Sequence, residues 1–552
     1  MTMYTTRRIS ILASLALAIA GCGGGGDGGG GNNPPPPPPP PVPISQAEAF
    51  QFLNQATFGA TEAEAEAVID MGFEAWIDDQ LTKPASLQLP YVQSLPDPAF
   101  MGLLQPDRVD VWFRNSLYGE DQLRQRVAFA LSEIMVVSQL SSLNNQPFAL
   151  ADYYDMLARN AFGNYRDLIE DVTLHPAMGV YLSMLSNEKP DPVLNIRPDE
   201  NYARELMQLF SIGLVEMNID GTVVVDGLGV PVPTYDQAVI EGFAHVYTGW
   251  TYAISNDFRN PRPIPENQIQ PMNLWPEFHD DEAKLLLGGE MIPAGQGGEA
   301  DLAQALDNVF DHPNVGPFMA IRLIQRLTTS NPSPQYIQRV ATVFNNNGSG
   351  VRGDMGAVIK AILMDPEARP ANPSATDGKL KEPLLRFTQL WKAYNATSES
   401  GSYRNLGAVY ILFGQGPLQS PSVFNFFSPF YAPPGEIRDA GLVAPEFGIA
   451  TEYLNTQFTN YIFFQALALN AENPDLEPDD VYIDFSEELE LAANVDVLID
   501  RVDQKLLAGT MSETLRNEIA GMLALIPETD AALRAAEVIY FVATSPEFAY
   551  QR

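Results

Sequence analysis

Residues 200–214 read Glu-Asn-Tyr-Ala-Arg-Glu-Leu-Met-Gln-Leu-Phe-Ser-Ile-Gly-Leu. Stepped at 100° per residue, Tyr202, Leu206, Leu209 and Phe210 fall on one apolar stripe. Pro198 suits a first helical position, and the acidic residues beside it complement the helix dipole. Gly213 followed by Leu214 reads as a C-terminal cap. The spacing therefore predicts a helix from Pro198 to Ile212. Glu200 and Arg204 lie across from the stripe, in the i, i+4 order that favours an ion pair. Glu205 lies at the edge of the stripe, in line with Asn201, Gln208 and Ile212. A carboxylate placed there is partly buried, which raises its pKa and suits it to acid–base work. A salt bridge between two helices is the structural reading of the same residues.

The flanking sequence repeats this helical grammar. Ser45-Gln46-Ala47-Glu48 and Thr61-Glu62-Ala63-Glu64 are capping boxes. Leu123–Val137, Tyr153–Phe162, Leu168–Leu174, Val315–Leu327, Tyr336–Phe344, Met355–Met364, Ser512–Leu525 and Ala531–Ala543 have helical period, most with clear breakers. Strand signals are few: a Val-rich, Gly-punctuated hairpin at 221–232 and a short strand at 284–287. The expected class is mainly α, a large multi-helix globular domain over residues 44–552 with a minor β-hairpin, as one body or two lobes.

Upstream of residue 44 the chain changes character. Arg7 and Arg8 precede the apolar stretch Ile9–Ala20, 12 residues long. A membrane-spanning helix needs roughly 20, so this reads as an export signal over residues 1–21. Ile19-Ala20-Gly21-Cys22 resembles a bacterial lipobox, which implies lipidation of Cys22. Residues 23–33 are nearly all Gly, and Pro34–Pro41 is unbroken. A flexible coil followed by a stiff polyproline rod, at ~3.1 Å per residue, reads as a 22–43 linker that holds a body off a membrane. The expected location is thus the bacterial cell envelope, exported and anchored to the membrane by lipid.

Composition narrows the function. The 552 residues carry 32 Lys and Arg against 69 Asp and Glu, a net charge of −37, with 45% hydrophobic residues. That apolar content excludes global disorder, and the acidity argues against nucleic acid, which demands a basic surface. One cysteine excludes an intrachain disulfide and multi-Cys metal sites. Residues 439–500 hold 14 acidic residues and no basic one, which reads as a solvated surface.

Two further segments hold candidates for chemistry. Thr234-Tyr235-Asp236-Gln237 opens a helix running to Trp250, on which Ala238, Gly242, His245 and Gly249 form a stripe of small residues around one imidazole. Such a stripe lets another backbone approach closely. Phe278-His279-Asp280-Asp281-Glu282-Ala283-Lys284 sets a histidine among carboxylates, a pattern that orients an imidazole or binds a divalent cation. Glu205, His245, His279 and Asp280 are the catalytic candidates, and Glu200, Asn201, Arg204, Asp236 and Lys284 the binding candidates. A metal would need ligands from several of these segments. His175 and His312 each precede Pro and read as helix-terminal caps. No Gly-x-Ser-x-Gly, His-Glu-x-x-His or phosphate-loop motif is present.

These motifs carry a resemblance. Ala56-Thr57-Phe58-Gly59, Leu174-His175-Pro176-Ala177-Met178, Glu200 to Leu206, Tyr247-Thr248-Gly249-Trp250, His279-Asp280 to Lys284, Gly414-Gln415-Gly416-Pro417 with Pro421-Ser422-Val423-Phe424-Asn425, and Ser545-Pro546-Glu547-Phe548 occur in order. Over residues 46–552 the chain resembles the bacterial domain of unknown function 1800 family. Gln55 departs from it, standing where the family often has Arg. The resemblance implies a large exported protein and brings no established activity or catalytic residue. Its members are often encoded beside exported proteins resembling sulfatases or phosphatases, which implies such a partner. Two functions remain open: a lipid-anchored binding or assembly protein of the envelope, which is preferred, and an exported hydrolase-like enzyme using Glu205, His245, His279 and Asp280, with or without a metal.

Overall fold

The computed structural model describes residues 43–96, 100–407 and 409–551. The signal segment, Cys22 and nearly all of the Gly- and Pro-rich linker lie outside the described residues. Ile44–Arg552 forms one compact unit. Its described part is built of 24 α-helices, with only short antiparallel strand pairs, so the protein is mainly α with minor β. No helix among the described residues is long and apolar enough to cross a membrane.

Local sequence explains most element starts. Both capping boxes form, opening the helices Gln46–Ala56 and Glu62–Met71. Phe52 of the first helix packs against Phe73 and Trp76 of the helix Phe73–Thr82. His175 caps Pro176–Tyr181, its Nδ1 accepting the Ala177 N–H, and His312 Nδ1 accepts the Asn314 N–H just before Val315–Leu327. Gln55 donates to the Ala368 carbonyl at 2.6 Å and accepts from Arg369 at 2.9 Å.

The helix Pro383–Ala393 is the axle of the body. Residues 383–392 are all buried, and the polar ones find partners inside: Lys392 pairs with Glu64 at 2.7 Å and Gln389 donates to the Leu506 carbonyl at 3.3 Å. Phe387 and Trp391 sit in an aromatic cluster with Phe113, Tyr403, Phe413 and Tyr461. Elsewhere in the body Val315–Leu327, Pro334–Asn345 and Met355–Met364 pack together, and Glu452–Leu467 and Val495–Leu507 pack on Ala531–Ala543. Strand Lys379–Leu380 pairs with Tyr550–Gln551, and Gln551 Nε2 donates to the Leu327 carbonyl at 2.7 Å.

Two expectations need correction. The helix expected over Leu123–Val137 runs over Gln122–Ser132. Ile134 to Val137 continue the buried run in irregular backbone. The expected hairpin forms only as isolated bridges, Val215 with Pro233, Met217 with Val223 and Val225 with Pro231. Val223, Val225, Leu228 and Val230 on it are exposed, Leu228 to 88%.

Candidate functional site

The 200–214 stretch starts as the α-helix Asn201–Glu205 and widens into a π-helical turn, Leu206–Ser211. Pro198 stays outside it. The Asp199 N–H donates to Asn187 Oδ1, and its carboxylate accepts the Asn201 N–H, each at 2.8 Å, so the helix opens only at Glu200. In the wide turn the Ile212 and Gly213 N–H groups both reach the Met207 carbonyl, at 3.0 and 2.9 Å. Gly213 has φ +75°, where a Cβ would be strained.

Glu200 and Arg204 form the expected ion pair, and Gln237 bridges both, tying this helix to Gln237–Val246. Asn201 is exposed. Asp236 caps Gln237–Val246 by accepting the Val239 N–H at 3.1 Å, a structural role. Glu205 is half-buried, its Oε2 has no hydrogen-bond partner among the described residues, and burial raises its carboxyl above the usual range against the pull of Arg204.

His245, His279, Asp280 and Lys284 come together around Thr248. His245 Nδ1 bonds Asp280 Oδ2. Thr248 Oγ1 donates to the His245 carbonyl at 2.7 Å and accepts the Asp280 N–H at 2.9 Å. His279 Nδ1 lies 2.9 Å from the Thr248 carbonyl and Nε2 3.0 Å from Asp301 Oδ2. Lys284 Nζ donates to that same Asp301 oxygen at 2.7 Å and to the Asp280 carbonyl at 2.6 Å. The arrangement rests on close backbone approach at the small-residue stripe: a Cβ at Gly242 would stand 1.9 Å from the Leu285 carbonyl oxygen.

These contacts sort the candidates. His279, Asp301 and Lys284 are buried, and both His279 nitrogens have partners, so they make a structural lock. His245 is part-exposed with Nδ1 held by a carboxylate, the arrangement of an oriented base. Glu205 makes no hydrogen bond or ion pair to any of them, so the four catalytic candidates do not form one site. No group of three or more His, Cys, Asp or Glu able to hold a metal occurs among the described residues.

Asp280 gives a pH prediction. Burial alone would raise its carboxyl, but the His245 bond, the Glu282 N–H and the charges of His245 and Lys284 outweigh it and hold it at about 2. A depressed carboxylate stabilises above its unfolded value and loses that contribution as pH falls through about 2. Asp280→Asn is therefore expected to cost about 1–2 kcal/mol near neutrality, discounted for partial solvent screening, and much less near the folded value. Thermal melts of both proteins from neutral pH downward check this. A mutant deficit that stays constant through the acid range counts against it.

A cavity of about 540 Å³ lies elsewhere, where the motif helix, the hairpin and the segment 423–430 meet. Gln208 and Leu209 come from the π-helical turn, Leu214 and Val223 from the hairpin, and Phe424, Phe427 and Phe430 from the third segment. The helix Val315–Leu327 adds Phe318, Ile321, Arg322 and Arg326. Arg322 lies between two rings, its guanidinium 4.9 Å from the Phe318 centroid and 4.7 Å from that of Phe430. Among the described residues no carboxylate pairs with it, and its one hydrogen bond, to Gln325, spans 3.4 Å. Burial first, and the Arg326 charge second, push it down to about 9, still cationic at neutral pH.

Behind the cavity lies a buried charge cluster. Glu133, which lines the cavity, faces Arg326 at 3.4 Å. Gln415 Nε2 donates to both Glu133 and Glu382. Lys379 Nζ pairs with Glu446 at 3.0 Å and Glu382 at 3.5 Å, and donates to the Gln325 and Arg326 carbonyls at 2.8 and 3.0 Å. Arg126 donates to the Arg326 carbonyl. Burial, then the Glu382 carboxylate, push Glu133 up to about 8 against Arg326 and Lys379. Four cationic side chains, Arg126, Arg322, Arg326 and Lys379, thus share this region with three carboxyls, Glu133, Glu382 and Glu446, and burial disfavours the charged form of Glu133.

The sequence model of the family described as "Protein of unknown function (DUF1800)" matches residues 51–550. The chain belongs to this family. No curated protein and no solved structure matches it. In this DUF1800 chain one quoted motif lines the cavity through Val423, Phe424 and Asn425, and a second, Glu200–Leu206, is followed after one residue by the lining residues Gln208 and Leu209. Sequence reasoning missed Glu133, Arg322 and the aromatic wall. A signal was present: Arg322 and Arg326 stand one helical turn apart on a mostly apolar helix, a like-charge pair that costs stability unless something compensates it.

Proposed function

We propose that this DUF1800 protein is a lipid-anchored cell-envelope protein that binds an amphiphile, seating the apolar chain among the phenylalanines and a single anionic head on Arg322. The observation that carries the reading is Arg322 itself. A guanidinium with no carboxylate partner among the described residues, held between two aromatic faces at the wall of an apolar cavity, is a docking point for an anion. The cavity volume lies within the ~300–1,000 Å³ usual for small-ligand sites. The exposed rim supports an amphiphilic guest, with Phe430 at 68% and Leu214 at 55% exposure. Cys22 as the lipid attachment point follows from the lipobox resemblance, and an exported sulfatase- or phosphatase-like protein is the partner the family resemblance implies.

Titration calorimetry of the full chain with decanoate and with decanol tests the ligand reading. Decanoate is expected to bind, and Arg322→Gln to weaken it by about 10- to 100-fold, the worth of a hydrogen bond to a charged group at ~1.5–3 kcal/mol. Decanol affinity should not change. Equal affinity of the variant and wild type for decanoate, or no binding at all, overturns the reading. Mass spectrometry of the native protein tests the anchor: a diacylglyceryl group on Cys22 supports it, and a free thiol there removes it.

The hydrolase reading retains one supporting observation, the oriented His245. Glu205, His279 and the absence of a three-ligand group among the described residues give it no second one.

A further inference from the structure

The chain has eight lysines. Six of them, Lys83, Lys284, Lys360, Lys379, Lys392 and Lys505, have a carboxylate oxygen within 3.2 Å. Lys189 is exposed. Lys381 is 5% exposed and, among the described residues, has no carboxylate partner. Its Nζ donates to Gln389 Oε1 and stands 4.1 Å from the Phe548 ring centroid. Gln389 Nε2 in turn donates to the Leu506 carbonyl at 3.3 Å, which fixes the amide with its oxygen toward the amine. Burial, and then the charge of Arg386, push this amine well below its ordinary range. The Phe548 face opposes that with ~2 kcal/mol at most, less than the several kcal/mol it costs to bury an unpaired ammonium.

Lys381 and Gln389 both line a second cavity, of about 1130 Å³, which is distinct from the Arg322 cavity. It lies against the helix Gln46–Ala56, residues 364–373 and the last turns of the chain. Arg369 lines it too. Its guanidinium donates to Gln55 Oε1 at 2.9 Å and to the Leu363 carbonyl at 2.7 Å, and has no ion-paired carboxylate among the described residues. Burial pushes it down to about 10, so it stays charged at neutral pH. One cavity thus offers a buried primary amine whose charged form is disfavoured and, beside it in the lining, a fixed cation.

We propose that this cavity captures small aldehydes or keto compounds that carry an anionic group, as an imine on Lys381 with the anion held by Arg369. The nitrogen lone pair attacks the carbonyl carbon, forming the C–N bond, and the π pair moves to oxygen. A proton passes from nitrogen to that oxygen through water, giving a carbinolamine. The C–O bond then breaks, the oxygen leaves as water with the remaining N–H proton, and the C=N bond forms. Nothing is oxidised or reduced, and water is the only by-product.

The test treats the folded full chain with glyoxylate and cyanoborohydride at about pH 6.5, followed by peptide mapping. Lys381 is expected to be alkylated at least about tenfold faster than Lys189, because each unit of lowered pKa gives ten times more free amine. Arg369→Gln should slow glyoxylate labelling of Lys381 and leave acetaldehyde labelling unchanged, whereas Arg369→Lys should keep most of the glyoxylate rate. The wild-type map stands by itself if a variant fails to fold. Lys381 labelled no faster than Lys189, or only after urea unfolding, overturns the proposal. Equal slowing of both aldehydes by Arg369→Gln overturns the anionic-substrate half of it.

Discussion

Lys379→Met is expected to lower unfolding stability by about 3–5 kcal/mol, the usual cost of stranding buried charge by removing one partner. The size of the effect follows from what the ammonium holds. It is the ion-pair partner of Glu446, whose two carboxylate oxygens have no hydrogen bond, and it reaches Glu382 as well. It also satisfies the Gln325 and Arg326 carbonyls where the helix Val315–Leu327 ends. Methionine fills the space and supplies none of this. Urea denaturation reads the loss as a lower midpoint. Adding Glu446→Gln should recover part of it, because the uncompensated charge is then gone. A change below about 1 kcal/mol would show that the cluster is solvated or already neutral.

Gly242→Ala should also destabilise, by about 3 kcal/mol or more, although helix propensity alone favours alanine by about 1 kcal/mol. The position lies within the helix Gln237–Val246, and the new methyl would stand 1.9 Å from the Leu285 carbonyl oxygen. That oxygen belongs to strand Lys284–Leu285, which pairs with Met291–Ile292 and cannot retreat alone. Moving the strand also pulls Lys284 off Asp301 and the Asp280 carbonyl. Differential scanning calorimetry decides between the two expectations: a raised melting temperature would mean that the close approach is absent in solution.

These two positions show how legibility divides. Helices with an apolar period and a breaker at each end were readable: Val315–Leu327, Met355–Met364 and Ala531–Ala543 run as the spacing predicts. The helix at Gln122 overran in the sequence reading because Ile134 to Val137 are as apolar as the helix before them. An apolar run reports burial, and without a breaker it does not report where helical backbone stops. The late start at Glu200 is set by Asn187, a tertiary contact invisible to local pattern.

The site was legible in parts. Glu205 at the edge of its stripe is half-buried as its helical angle requires, and the Glu200–Arg204 pair forms at its expected spacing. Membership of one site could not be read, because His245 and Asp280 meet across 35 residues while Glu205 meets neither. Lys379 and Glu446 look like ordinary surface charges in sequence, yet both are buried. The Arg322 cavity draws on residues from 133 to 430, and no window of sequence contains enough of it to be recognised.

The Arg322 guanidinium lines a cavity in a molecule whose total charge is −37. At long range an approaching anion meets repulsion, and attraction begins only at the mouth. Dissolved salt damps the distant field far more than the enclosed one, whose partners lie within a Debye length of roughly 8–10 Å. Capture of a negatively charged guest should therefore quicken as ionic strength rises, the reverse of the familiar steering between opposite charges. An acidic protein with this charge layout would load best in brine.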